Sequence, residues 1–150
     1  DYKVGDLIDH IDGNTICEAD HLFATRLWQN NSKVHFDINS REDRKRLVYG
    51  GHVISLVRAL SFNGLENAQM ILGINGGTHA NPVFAEDTIY CWTEVLDKVD
   101  LNVRNIAALR LRSVGTKEKS SVMKIKDDKG RYFPNIVLDF DYWVLIPKEL

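Results

Sequence analysis

The sequence predicts an α+β domain in which one strongly apolar helix packs against an antiparallel sheet. Three observations carry that reading. After Gly50-Gly51, the residues Val53, Ile54, Leu56, Val57, Leu60 and Phe62 form a pattern apolar on nearly every side of a helix, and such a helix belongs in the middle of a structure. From residue 69 onward the hydrophobic period changes from helical to alternating. In the last alternating stretch Ile136, Leu138, Phe140, Tyr142, Val144 and Ile146 share one face while Asp139 and Asp141 fall on the other, so one face of the sheet is buried.

Taken in order, Thr15 and Glu18 have the spacing of a capping box, which predicts a helix start there. Leu22, Phe23 and Leu27, with Ala19 and the Arg26 stem, supply its apolar face, and Gln29-Asn30-Asn31-Ser32 ends it as a polar loop. The central helix follows the two glycines and stops at Asn63-Gly64. Strands are predicted at 69–75, 87–99, 106–116, 122–126 and 135–146, with a hairpin-type turn at Asp127-Asp128-Lys129-Gly130. No internal repeat, linker or low-complexity segment interrupts the chain.

A chain of 150 residues with 44% hydrophobic content can close one substantial core, burying roughly 70% of the surface its extended form exposes. One domain over residues 1–150 is the expectation. Nineteen basic against 21 acidic residues give a formal charge of -2, which offers no broad field for nucleic acid or anionic membranes. Cys17 and Cys91 lack close metal-type spacing and read as reduced core thiols of a cytoplasmic protein. The most apolar run, 53–60, contains Arg58 and falls far short of the ~20 residues of a membrane span. The chain opens on Asp1-Tyr2-Lys3 without an initiator methionine, which leaves room for an upstream partner domain.

Three stretches in order carry a resemblance: Asn30-Asn31-Ser32-Lys33-Val34-His35-Phe36-Asp37, then Val48-Tyr49-Gly50-Gly51-His52, then Asn81-Pro82-Val83-Phe84-Ala85-Glu86-Asp87. They resemble the hydratase loop, the entry to the central helix and the Pro-Val-Phe-x-x-Asp strand lead-in of the MaoC-like hydratases. Arg26-Leu27-Trp28-Gln29-Asn30, residues 49–65 and Ile74-Asn75-Gly76-Gly77 are similar to the C-terminal half of that family's mesaconyl-CoA hydratase branch, also called β-methylmalyl-CoA dehydratases. The resemblance spans nearly the whole chain. It implies the hotdog fold, a long helix wrapped by an antiparallel sheet, a coenzyme A thioester substrate and side-by-side pairing of hotdog units, here a homodimer or higher oligomer. Two departures stand out. Asn30 occupies the position of the family's catalytic aspartate, and Ser32-Lys33 replace its Asn-Pro pair.

The implied reaction adds water reversibly across the double bond of a 2-enoyl thioester. It needs a base for water, a proton source for the α-carbon and stabilisation of the enolate oxygen. An imidazole, with an ordinary pKa of ~6.5, can serve the first two in turn, which assigns His35 as acid/base. Asn30 cannot transfer protons in that way and is left to hold water or orient the imidazole. The backbone N–H groups of Gly50 and Gly51, at the start of the apolar helix, suit the developing negative charge. A tight turn with close packing is an equally weighted reading of the two glycines. No metal or redox cofactor is implied, coenzyme A entering only as part of the substrate.

For a substrate carboxylate, Arg58 is the leading candidate, with Ser55 on the same helical face; an internal ion pair for Arg58 is about as well supported. Tyr49 and His52, flanking the glycines, are candidates to line the pocket. His10 and His21 read as surface or helix-face histidines, His79 as a loop residue, and Trp28, Trp92 and Trp143 as core or interface rings. Asp37 reads as a turn cap more readily than as a partner of His35, and residues 41–46 as a solvated loop. The competing classes are a non-catalytic thioester-binding hotdog unit, which Asn30 favours, and a hotdog thioesterase.

Overall fold

The structure, a computed structural model, describes residues 2–68, 70–119 and 122–148. Its elements in order are β1 (Leu7–Thr15), α1 (Glu18–Leu27), two 3-10 turns (Lys33–His35 and Ile38–Ser40), α2 (Gly50–Leu60), the short α3 (Phe62–Leu65), β2 (Ile71–His79), β3 (Thr88–Val103), β4 (Ile106–Thr116) and β5 (Ile136–Pro147). The strands form one antiparallel sheet in the order β1-β3-β4-β5-β2. α2 touches β1, β3, β4 and β5, so the sheet wraps the apolar helix. This is the hotdog architecture, and the α+β expectation holds.

Side-chain alternation explains why the helix lies where it does. Ile136, Leu138, Phe140, Tyr142, Val144 and Ile146 of β5 are all buried, with Val53 and Val57 of α2 in the same core. A Cβ on Gly115 of β4 would meet Val57 Cγ2 at 2.8 Å, so the bare backbone there lets α2 seat directly on the sheet. On the outer face Arg110 and Arg112 grip Asp141 and Asp139 through two hydrogen bonds each, the fork geometry that makes arginine–carboxylate pairs strong. α2 ends at Leu60, and the helical run breaks three residues on, where the sequence places its stop: Asn63 is non-helical and Gly64 takes φ +99°, a conformation glycine enters without penalty.

Several local expectations yield to tertiary contacts. The Thr15/Glu18 capping box does not form. Thr15 is the last residue of β1, its hydroxyl 2.7 Å from that of Thr88 across the sheet. Cys17 becomes the N-cap, and the Glu18 carboxylate binds His21 and Arg46 instead. α1 buries His21, Ala24 and Thr25 and leaves Phe23 and Leu27 exposed. β1 escaped notice because it is an edge strand with only His10 buried, so its alternation carries no hydrophobic signal. The 122–126 strand is absent apart from a single bridge, Lys126 to Tyr132, closing the turn at Asp127–Gly130 that the sequence does predict; Asp127 Oδ1 accepts there from the Lys129 and Arg131 N–H groups. Trp92 is buried and Trp28 exposed. Cys17 is exposed, whereas Cys91 is buried with its thiol pushed up to about 12 by desolvation.

His10 and His21 are fully buried rather than on the surface. His10 ends a chain of hydrogen bonds through the core. Arg58 donates to the Tyr142 hydroxyl (2.9 Å), which lies 2.9 Å from Ser113 Oγ, itself 2.8 Å from Thr93 Oγ1, itself 2.8 Å from His10 Nε2. His10 Nδ1–H donates to the Asn63 carbonyl at 2.6 Å. A guanidinium only donates and a carbonyl only accepts, so both ends set one direction: each hydroxyl accepts from the arginine side and donates toward a neutral His10. Four strands and two helices are tied by groups that would be costly to bury unpaired.

Candidate active site

His35 closes the first 3-10 turn, and the chain returns past it at residues 46–48. Leu47 N–H donates to the Val34 carbonyl (2.8 Å), and His35 Nδ1–H donates to the Leu47 carbonyl (2.8 Å). Because a carbonyl only accepts, the neutral ring carries its proton on Nδ1 and leaves Nε2 as a lone pair. Arg46 braces the same crossing: its Nε donates to the Phe36 carbonyl (3.0 Å), and its guanidinium pairs with Glu18 at the start of α1. Burial pushes the Glu18 carboxyl up, but hydrogen bonds from His21 and Arg46 outweigh it and the net direction is down.

The loop faces the start of α2 across a cleft of about 500 Å³ lined by Asn30, His35, Tyr49, Gly50, Gly51 and His79, with Asn81 and Val83 among the remaining wall residues. Tyr49 is the N-cap residue of α2, and its carbonyl accepts from the His52 and Val53 N–H groups. Among the described residues nothing accepts from the Gly50 or Gly51 N–H. These are the unpaired donors of a helix N-terminus, opening on the cleft. The Tyr49 ring packs edge-on against His35, with centroids 5.8 Å apart. It also covers Gly51, where a Cβ would meet Tyr49 Cζ at 2.6 Å. The Asn30 carboxamide oxygen accepts from Ser32 N–H (2.9 Å), which leaves its NH₂ as the end available to a ligand.

Six of the sequence candidates therefore meet as cleft and frame, and two of the substrate candidates do not. His35, Asn30, Tyr49, Gly50 and Gly51 line the cleft, and His52 stands one residue beyond it with its imidazole held below the ordinary value by burial and by His21. Ser55 is exposed and donates to the Gly51 carbonyl (3.0 Å). Arg58 lies outside the lining and its guanidinium is engaged inside the protein, on Tyr142, Ser61 Oγ (3.2 Å) and the Ala68 carbonyl (2.9 Å). Arg58 thus has internal hydrogen-bonding partners, and neither Ser55 nor Arg58 lines the cleft. Asp37 caps the second 3-10 turn through Asn39 N–H. Arg41 pairs with Asp43 at the surface.

Two cleft residues were missed as such. His79, read as a loop residue, is the last residue of β2 and lies against Gly50. Asn81 donates both carboxamide hydrogens, to the Phe133 (2.9 Å) and Ile136 (2.7 Å) carbonyls, and so pins the Asn-Pro lead-in to the sheet. The available signal was a histidine two residues before Asn81-Pro82, at the end of an alternating stretch.

No family model matches the chain. It is 55% identical over 148 residues to the mesaconyl-CoA hydratase of Cereibacter sphaeroides, covering 99% of this chain and 43% of that protein. It is 54% identical over 154 residues to the β-methylmalyl-CoA dehydratase of Chloroflexus aurantiacus, covering 99% of this chain and 44% of that one. Among solved structures, a MaoC domain dehydratase of Chloroflexus aurantiacus superposes with a TM-score of 0.93 at 51% identity, over 100% of this chain and 44% of the other. Over its whole length this chain is similar to MaoC-like hotdog proteins. The MaoC-like chain spans less than half the length of the curated relatives it matches. Among its described residues no helix is long and apolar enough to cross a membrane.

Proposed function

We propose that this MaoC-like chain is a hydro-lyase unit that reversibly adds water to a 2-enoyl-CoA thioester, with mesaconyl-CoA and β-methylmalyl-CoA as the leading substrate pair. The observation that carries the reading is the His35 imidazole, its Nδ1–H tied to Leu47, lining one cleft with the unpaired Gly50 and Gly51 amides. Water rests between the Asn30 NH₂ and His35 Nε2. As Nε2 takes one proton, the hydroxyl oxygen bonds to the β-carbon and the double-bond electrons move onto the thioester oxygen, held by the two amides. The imidazolium then returns its proton to the α-carbon, so the reaction is redox-neutral and calls for no metal or redox cofactor.

Residues 1–150 act as one hotdog unit in the cytoplasm. The unit pairs with a second copy as a homodimer or with a hotdog neighbour in a longer chain. The identity to the mesaconyl-CoA hydratase supports the branched diacid substrate; Arg58 does not. A second reading, a thioester-holding unit whose chemistry lies elsewhere, is favoured by Asn30 and by the relatives' greater length. Purified protein mixed with crotonyl-CoA or mesaconyl-CoA discriminates between them through the conjugated-thioester absorbance. Loss of absorbance without free thiol supports the hydratase. Binding without turnover selects the second reading, and release of thiol selects a thioesterase.

A further inference from the structure

The cleft holds a second imidazole that the mechanism above does not use. His79 ends β2, where its pairing with Leu138 of β5 sets its backbone in the sheet. Its ring lines the same cleft as His35 and the two glycines. A Cβ built on Gly50 would stand 2.6 Å from His79 Nε2 and 2.8 Å from its Cε1. The Nε2 edge of the ring therefore lies against the first residue of α2, in the space only a glycine leaves empty. Among the described residues no hydrogen bond engages the His79 ring, so both nitrogens remain open to a ligand.

We propose that His79 is a third hydrogen-bond donor of the oxyanion site, its Nε2–H joining the Gly50 and Gly51 amides on the thioester oxygen. The inference rests on the hydratase reading and names a residue for it. An oxygen seated at the exposed N–H groups of α2 lies beside the ring edge that packs on Gly50. The ring stays neutral, because desolvation holds its pKa below the ordinary imidazole value and the positive end of the helix dipole disfavours a second positive charge there. A neutral imidazole at a helix N-terminus is a good electrophile: it donates a hydrogen bond to a developing enolate without surrendering the proton. His35 remains the only group that moves protons, and His79 keeps its own throughout.

The test uses the whole chain and two readouts. With crotonyl-CoA, His79→Ala and His79→Phe should lower kcat by about 10²-fold, the usual cost of one oxyanion donor, with KM changed less than about threefold. His79→Gln, which keeps an N–H donor, should recover about tenfold of that loss, whereas a proton-transferring histidine would not be rescued by a carboxamide. The second readout is the infrared carbonyl stretch of bound butyryl-CoA labelled with carbon-13 at the thioester carbon, a saturated ligand with no double bond to hydrate. Wild type should shift the band to lower frequency, and His79→Ala should cancel a large part of that shift. If His79→Ala retains both the shift and kcat, the proposal is overturned. If wild type polarises butyryl-CoA through His79 but does not hydrate crotonyl-CoA, the donor role stands and the hydratase reading falls. Should circular dichroism show His79→Ala or His79→Phe unfolded, His79→Gln and His79→Asn decide: either one within about tenfold of wild type in kcat with the band still shifted supports a donor, and both about 10²-fold or more below wild type with the shift cancelled overturns it.

Discussion

The Nδ1–H of His35 donates to the Leu47 carbonyl at 2.8 Å, and that one bond decides which ring nitrogen carries the lone pair. His35→Ala should lower hydratase kcat by roughly 10² to 10⁴-fold, the range of a positioned acid/base group. The nitrogen-15 spectrum of selectively labelled protein should show neutral His35 protonated at Nδ1. A resonance pattern with the proton on Nε2 would contradict the geometry.

Arg46 holds the same loop from outside the cleft. Its ion pair with Glu18 is partly exposed on both sides and is worth at most about 1 kcal/mol. Arg46→Met should therefore leave the urea midpoint nearly unchanged while lowering kcat about tenfold, because a loosened Phe36 carbonyl lets His35 drift. Arg46→Lys, which keeps the charge but not the fork, should restore only part of it. Equal losses of stability and activity would mean a merely structural residue.

Tyr142 stands in the middle of the buried relay, accepting from Arg58 and bonded to Ser113. Tyr142→Phe strands a donor on one side and a hydroxyl on the other, and should cost about 1–3 kcal/mol in urea unfolding. Ser113→Ala together with Tyr142→Phe should cost less than the sum of the two, since the partners share one network. Arg58→Met should destabilise the fold and raise KM for mesaconyl-CoA no more than for crotonyl-CoA.

Stability should fall on mild acidification. Burial holds the His10 imidazole below its ordinary value, with Arg58 adding to this and the Asn63 carbonyl and Asp9 opposing it; burial lowers His52 and His79 in the same direction. Each is neutral when folded and takes up a proton when unfolded, so the unfolded state binds more protons below the ordinary value of 6.5. Unfolding free energy should then decline as pH drops from 6.5 toward the lower folded values, by up to about 1.4 kcal/mol per pH unit for the buried His10, with the half-buried His52 and His79 adding less because solvent screens them. Denaturant midpoints between pH 7.5 and 5 check the sign. A midpoint that rises on acidification would contradict it.

Legibility followed the range of the signal. β4 occupies 106–116 as its alternation predicts, α2 begins at Gly50, and the helical run that continues into α3 breaks at Asn63-Gly64. The cleft pairing of His35 with Gly50-Gly51 came from motif order and holds in space. Thr15 shows the opposite case. Its capping spacing to Glu18 is genuine, yet a partner 73 residues away captures its hydroxyl, because cross-strand pairing satisfies Thr15 before α1 begins.

By itself the chain determined α2 and the strands β2 to β5, because hydrophobic period and turn chemistry act over a few neighbouring residues, and β1 carried no such period; that the His35 loop faces the glycine-led helix is what the resemblance implied. Only the folded sheet decided that Arg58 serves the core, that His10 is buried, and that His79 lies on Gly50. Those relations depend on register between strands far apart in sequence: a slip of one residue in β1 or β2 would turn His10 or His79 to the other face, and one in β5 would carry Tyr142 away from Arg58.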